Sequence, residues 1–334
     1  MRAAKSVVVD VDNLNVIFGQ TRVVQGLSFS VKAGEILAIV GESGCGKSMT
    51  ALALMGLLSA PGRVEASSLR MNDVALVDLD AEALRQIRGN RMSMIFQEPM
   101  TSLNPVLTIG EQIVEAILAH RSMSDAQARQ EALRLLERVK IPSASTKIYE
   151  YPHRLSGGMR QRVMIAIALA NAPDVLIADE PTTALDVTVQ AEILDLIDEL
   201  RRETGMAVIL ISHDFDVVTR HADNVLVMYA GKAIEFGAAN AILNAPRHPY
   251  TRALIEARPK LGHSPSGKRQ RLRVIPGTVP SLQNLPKGCA FAPRCGRARP
   301  DCLDSQPPFF AILGHKYACF HPEPSPYAHL LIAR

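Results

Sequence analysis

Short uninterrupted apolar runs alternate with longer stretches of helical periodicity through most of this chain. Glu35 to Val40 carries Ile36, Leu37, Ala38, Ile39 and Val40 in succession and reads as a buried strand, while Lys47 to Leu58, rich in Ala, Leu and Met, suits a helix. The alternation returns with a short strand at Met92 to Phe96, helices at Thr108 to Ala119, Ser124 to Val139 and Val163 to Ala170, and a strand ending in Asp179. Val187 to Arg202 follows as an amphipathic helix with Val189, Ile193, Leu196, Ile197 and Leu200 on one face, and Ala207 to Ile211 as another buried strand. Strands that alternate with helices imply a parallel core sheet joined by right-handed crossovers. Ser6 to Asp12, Leu14 to Phe18, a pair within Thr21 to Lys32, and Leu69 to Leu76 read instead as antiparallel strands. Pro99 to Pro105 is a turn-rich break, and it opens a helical lobe over about 98–160.

Near Asn244 the pattern dissolves into a Pro-, Gly- and Arg-rich tail, which sets a boundary between residues 1–244 and 245–334. The tail's basic run, Gly267 to Arg273, reads as a solvated linker in preference to a site for lipid head groups or nucleic acid. A length of 334 residues with 47% hydrophobic content suffices for a sizeable core and a second small domain, and a net charge of +4 is too mild to imply nucleic acid as a partner. No stretch reaches the roughly 18 to 20 apolar residues of a membrane span. Asp10 and Asp12 interrupt the first apolar run, so it reads as neither signal peptide nor anchor, and the chain is expected in the cytoplasm. Of five cysteines, four cluster in the last fifty residues, unlike a secreted disulfide framework.

Candidate chemistry begins between the first buried strand and its helix. Gly41-Glu42-Ser43-Gly44-Cys45-Gly46-Lys47-Ser48 fits the phosphate-binding loop, in which glycines let backbone N–H groups close around phosphates at the positive end of a helix. Lys47 is expected to reach the β- and γ-phosphates, and Ser48 to ligate Mg²⁺. Cys45, beside Lys47 and a helix start, is in a setting that favours thiolate, and a small inert loop residue fits the position as well. Further along come Gln97, Leu155-Ser156-Gly157-Gly158-Met159, Asp179-Glu180 and His213.

In this order the motifs resemble the ATP-binding cassette (ABC) family, over roughly residues 7–325, and Pro181-Thr182-Thr183-Ala184-Leu185-Asp186 continues its pattern. The resemblance implies an α/β fold of the P-loop NTPase class: a parallel core sheet, an antiparallel β subdomain, an inserted helical lobe and here a small Cys-containing extension. It implies that Asp179 holds Mg²⁺ with Ser48, that Gln97 also touches the ion, that Glu180 polarises the attacking water, and that His213 contacts the γ-phosphate and orients Glu180. Phe18 stands where the family stacks an aromatic on adenine, although a core Phe fits as well. Met49 replaces a common hydroxyl residue, leaving its backbone N–H for the α-phosphate. Leu155, Ser156, Gly157 and Gly158 would close over the ATP of a partner subunit, and Asp186 would couple the two sites.

Arg247-His248-Pro249-Tyr250-Thr251, Pro276 to Pro280, the run from Phe96 to Pro105 and the terminal cysteines look like the ATP-binding subunit of bacterial oligopeptide/dipeptide importers. That resemblance implies a second, homologous ATPase as heterodimer partner, two permease subunits, and a solute-binding protein outside the membrane, with this chain peripheral on the cytoplasmic face of the plasma membrane. Related importers carry nickel chelates, glutathione, opines or murein peptides; an ATPase of regulation or assembly without a permease is the alternative of another class. Cys289, Cys295, Cys302 and Cys319 are separated by five, six and sixteen residues and contain no Cys-x-x-Cys pair, a departure from most structural zinc sites. Four thiolates can hold a [4Fe–4S] cluster, as the similar cysteine pattern of peptide importers suggests, or zinc, or remain free.

Overall fold

The computed structural model describes residues 6–97, 102–183, 185–257 and 274–324. The basic run at 267–273 and part of the break at 99–105 lie outside them.

The apolar runs become a sheet covered on both faces. Strands β1 (Val7–Phe18), β2 (Thr21–Lys32), β4 (Gly62–Glu65), β5 (Ser68–Met71) and β6 (Val74–Ala75) form a five-stranded antiparallel sheet. An eight-stranded sheet runs β12-β13-β11-β10-β3-β9-β8-β7, built from β3 (Ile36–Val40), β7 (Met92–Ile95), β8 (Val175–Asp179), β9 (Ala207–Ser212), β10 (Asn224–Tyr229), β11 (Lys232–Ala238), β12 (Phe310–Ile312) and β13 (His315–Tyr317). From β10 through β3, β9 and β8 to β7 every pairing is parallel. Alternate residues of β3 explain its unbroken apolar run: Leu37 and Ile39 pack toward β1 and β2, while Ala38 and Val40 pack toward Phe215, Ile242 and Tyr250.

The helical lobe is inserted between β7 and β8. Its helices Ile109–Leu118 and Asp125–Arg138 each start with a reciprocal capping box, Thr108 with Glu111 and Ser124 with Gln127. Ile113, Leu136 and Val163 join Leu176, Ala178, Val208 and Leu210 in one apolar cluster, which fixes the lobe to the sheet.

The structure differs from the sequence pattern in several places. Thr21–Lys32, expected to hold a pair of strands, is the single strand β2. The two first apolar runs form a single strand, bent at Asn13 (φ 52°) where the pairing with β2 shifts register between Val11 and Leu14. The separation read from a polar Asn is a bulge, since Asn tolerates the left-handed conformation. The tail has more core than its composition implies. β13 pairs with β11 and so extends the main sheet, while Ile275 and Phe291 are buried in the cluster of Tyr229 and Tyr250. No helix among the described residues is long and apolar enough to cross a membrane.

Candidate ATP-hydrolysing site and a thiol-lined hollow

The phosphate loop leaves β3 and ends at the helix Lys47–Leu54, where Gly46 (φ 103°) forms the first cap. Glycine is required at position 41 for a steric reason. A Cβ there would stand 2.3 Å from the Met228 carbonyl oxygen and 2.8 Å from Cys45 Sγ, so β10 presses directly on the loop. Lys47 is buried beneath the loop, its ammonium donating to the carbonyls of Gly41 (2.8 Å) and Glu42 (3.2 Å). Ser48 Oγ donates to Asp179 Oδ1 at 3.2 Å, joining the helix start to the end of β8. Burial pushes the Asp179 carboxyl above its ordinary range; Ser48 and Lys47 pull it back and the charge of Glu180 adds to the rise. A buried carboxylate of this kind, paired with a serine hydroxyl, is a donor set that suits Mg²⁺.

Glu180 follows with a left-handed backbone (φ 47°) and its N–H bonded to the Ile211 carbonyl at 3.0 Å. This departure from the strand turns its side chain into a polar cluster. Gln97 Nε2 donates to Glu180 Oε2 at 3.2 Å, Thr183 Oγ1 donates at 3.0 Å, and His213 Nδ1 lies 3.3 Å away. Three groups from three segments therefore converge on one carboxylate oxygen and fix its direction, while His213 itself stays largely exposed. Nothing in the sequence singles out Thr183 beyond its place three residues after Glu180.

A second cluster surrounds the start of the helix Gly157–Ala168. Ser156 caps it by accepting from the Met159 N–H (3.4 Å), and Leu155 is buried beneath. The nearest side chains to Cβ positions at Gly157 and Gly158 are Leu185 and Val189, and Asp186 caps the helix Val187–Thr204 through the Val189 N–H at 3.0 Å. Small residues and a cap thus hold two helix starts against each other. Met49 is partly buried against the β1–β2 core. Phe18 closes the β1–β2 turn with its ring over Gly62, where a Cβ would come within 2.8 Å of it.

Of the two readings of Cys45, its surroundings favour the inert loop residue. The side chain is 1% exposed, and burial raises its pKa more than the nearby Lys47 and the loop's N–H groups lower it. A helix start stabilises an anion only when the cost of leaving water is smaller.

The four tail cysteines are free thiols that all line one small hollow, with His248, Phe291 and His321 also on its wall. Burial raises the pKa of Cys289 and Cys295 and pushes Cys319 up to about 12, and in each case neighbouring thiols add to the rise. Partly buried sulfurs that line one hollow gain from a cation that holds them as thiolates. On the rim the Asp301 carboxylate, Cys302 Sγ and the His321 ring lie within 4.8 Å of one another, and His321 Nε2 sits 2.8 Å from Asp301 Oδ2.

Comparison with known proteins agrees with this architecture. A family model described as ABC transporter matches residues 24–183, and one described as oligopeptide/dipeptide transporter, C-terminal region, matches residues 234–302. The chain is 48% identical to the oligopeptide transport ATP-binding protein OppD of Escherichia coli (strain K12) over 317 residues, which is 94% of this chain and 93% of the relative. It is 46% identical to the dipeptide transport ATP-binding protein DppD of the same organism over 318 residues, 94% and 96% of the two chains. Among solved structures, the dimeric ATP-binding cassette MJ0796 bound to ADP and Pi aligns with a TM-score of 0.60 at 28% identity, covering 69% of this chain and 98% of that one. A phosphate loop under a parallel sheet, an inserted helical lobe and near-full-length identity of this level lead to one conclusion: the chain belongs to the ABC ATPases, in the family of ATP-binding subunits of oligopeptide/dipeptide transporters.

Proposed function

We propose that this chain binds ATP at an interface with a second, homologous ABC ATPase and hydrolyses it to drive uptake of di- and oligopeptides through two permease subunits. In this reading the chain lies on the cytoplasmic face of a bacterial plasma membrane and an external binding protein delivers the solute. The observation that carries the chemistry is the convergence of Gln97, Thr183 and His213 on Glu180 Oε2, one residue beyond the Asp179–Ser48 pair. Phosphoryl transfer to water is largely positioning and charge neutralisation, so a carboxylate held in one direction suits the orientation of a water. Mg²⁺ bound with ATP supplies neutralisation of the phosphate charge, and Ser48, Asp179 and Gln97 are the residues to hold it. Lys47 and the loop N–H groups bind the phosphates, Glu180 takes the proton of water, and His213 orients Glu180. Phe18 is assigned to adenine. Leu155, Ser156, Gly157 and Gly158 cap the partner's nucleotide, with Asp186 at the junction between the two sites.

The transport reading rests on the family of the chain and on the oligopeptide/dipeptide-type C-terminal region. Its test is co-purification: from detergent extracts the tagged chain should bring down two hydrophobic permeases and a second ATPase, and ATP-loaded membrane vesicles should accumulate a labelled dipeptide or oligopeptide. Isolation without permeases would favour a regulatory ATPase. Uptake of nickel chelates, glutathione, opines or murein peptides but not of simple peptides would redirect the substrate.

We also propose that Cys289, Cys295, Cys302 and Cys319 hold a [4Fe–4S] cluster, because all four thiols face one hollow. Such a cluster would order the tail. Anaerobically purified protein should be brown, with about four irons and four labile sulfides per chain, lost in a Cys302→Ser/Cys319→Ser variant. Colourless protein with stoichiometric zinc would overturn the cluster, and zinc retained in that double variant would exclude these two thiols as its ligands.

A further inference from the structure

Among the described residues, two side chains of the C-terminal extension hydrogen-bond Glu42 of the phosphate loop. The Glu42 N–H donates to the phenol oxygen of Tyr250 at 2.9 Å. The Glu42 carboxylate accepts two hydrogen bonds from Arg294, from Nη1 at 2.6 Å and Nη2 at 2.9 Å. The remaining polar group of this residue, its carbonyl, faces the chemistry: it accepts from Lys47 Nζ at 3.2 Å and from the Cys45 N–H at 3.3 Å. Glu42 thus connects the extension to the lysine that binds phosphate.

Arg294 is itself held rigidly. Its side chain is 5% exposed, its Nε donates to the Pro276 carbonyl at 2.8 Å, Nη1 also reaches the Tyr229 hydroxyl at 3.3 Å, and the guanidinium lies 5.8 Å from the centre of the Tyr229 ring. A planar fork fixed on three sides and paired in bidentate fashion transmits position as well as charge, which a flexible ammonium cannot do. The loop needs such a constraint, since Gly41, Gly44 and Gly46 (φ 154°, 78° and 103°) give it wide freedom on either side of Glu42.

We propose that Arg294 is a positioning residue of the ATP site: by holding Glu42 it sets the phosphate loop and Lys47 in the ATP-binding arrangement, so that the extension controls ATP affinity. The proposal rests on ATP binding at this loop.

The test uses the full chain in the assembled transporter. Arg294→Gln should raise KM for ATP, and Kd in a direct titration, by about tenfold with kcat within about twofold, since it disturbs ground-state positioning and leaves Glu180 in place. Arg294→Lys should restore little of the affinity, because it keeps charge and loses the fork. Arg252→Gln, which breaks a different ion pair of the extension (Arg252 with Glu323, 2.9 Å), should leave KM unchanged. In the Arg294→Gln/Glu42→Gln variant, where neither charge is left unpaired, KM should match that of Arg294→Gln alone. Wild-type KM in folded Arg294→Gln protein, full rescue by Lys, an equal effect from Arg252→Gln, or a double variant showing the product of the two single effects would each overturn the proposal. Lys47→Ala with unchanged ATP affinity would instead strike the ATP-site reading beneath it.

Discussion

Adjacent glycines at the start of the helix Gly157–Ala168 should respond very differently to the same added methyl. A Cβ at Gly158 would lie 2.7 Å from Val189 Cγ1, whereas a Cβ at Gly157 would lie 3.2 Å from Leu185 Cδ2. Ordinary contact begins near 3.4 Å, so the first requires a displacement of about 0.7 Å and the second about 0.2 Å. Leu185 can yield by rotating its flexible end. Val189 is β-branched within a helix and is held to one rotamer, so the two helices must part. Overpacking of this kind costs about 1–3 kcal/mol, against about 1 kcal/mol gained when Ala replaces Gly in a helix. Gly158→Ala should therefore destabilise the chain by about 1 kcal/mol, a fall in Tm of about 1–2 °C at this chain length, while Gly157→Ala should be neutral or slightly stabilising. Val189→Ala removes the clashing atom, so Gly158→Ala/Val189→Ala should regain the loss, with a coupling of about 1–2 kcal/mol in a double-mutant cycle. Thermal unfolding of the four proteins measures this. A Gly158→Ala protein at least as stable as Gly157→Ala, or no rescue by Val189→Ala, would refute the steric reasoning.

Two further outcomes follow from burial. Cys45 should react slowly with maleimides in the folded protein, and Cys45→Ser should keep ATP affinity within about twofold; rapid modification from which ATP protects would restore the thiolate idea. His248 is fully buried, its pKa is lowered to about 4 by burial against a smaller opposing pull from Glu235, and its Nδ1 accepts from the Tyr250 N–H at 3.1 Å. The unfolded chain takes up this proton first, near pH 6.5, so stability is full above that and falls by about 3 kcal/mol as pH drops toward 4. His248→Asn keeps an acceptor at this helix cap without a titrating ring and should flatten the decline of Tm over that window; equal slopes would remove His248 as the cause.

The sequence makes the parallel sheet legible because strands buried on both faces are mostly apolar: β3 is wholly so, β8 up to its last residue Asp179, and β9 up to its last residue Ser212. It makes the phosphate loop legible because glycine spacing, lysine and flanking elements are all local. What it hides is what depends on distant chain. The hairpin β12–β13 turns at Leu313 and Gly314 (φ 49° and 81°), yet its place on the sheet is fixed by pairing with β11, which lies about eighty residues earlier. Arg294 has no local mark, being one arginine in an arginine-rich tail, and its carboxylate partner precedes it by 252 residues. Cys45 stays open in the sequence for a related reason: the helix start and Lys47 are visible there, but the chain that buries the thiol is not.

The central claim is that a carboxylate held by three neighbours turns ATP binding into peptide transport. The most direct measurement is uptake of a labelled peptide into ATP-loaded proteoliposomes containing the assembled importer, alongside ATP binding, for wild type, Lys47→Ala and Glu180→Gln. Lys47→Ala should lose both binding and uptake. Glu180→Gln should keep ATP binding while hydrolysis and uptake fall together by about two to three orders of magnitude. Near wild-type uptake and hydrolysis by Glu180→Gln would contradict it.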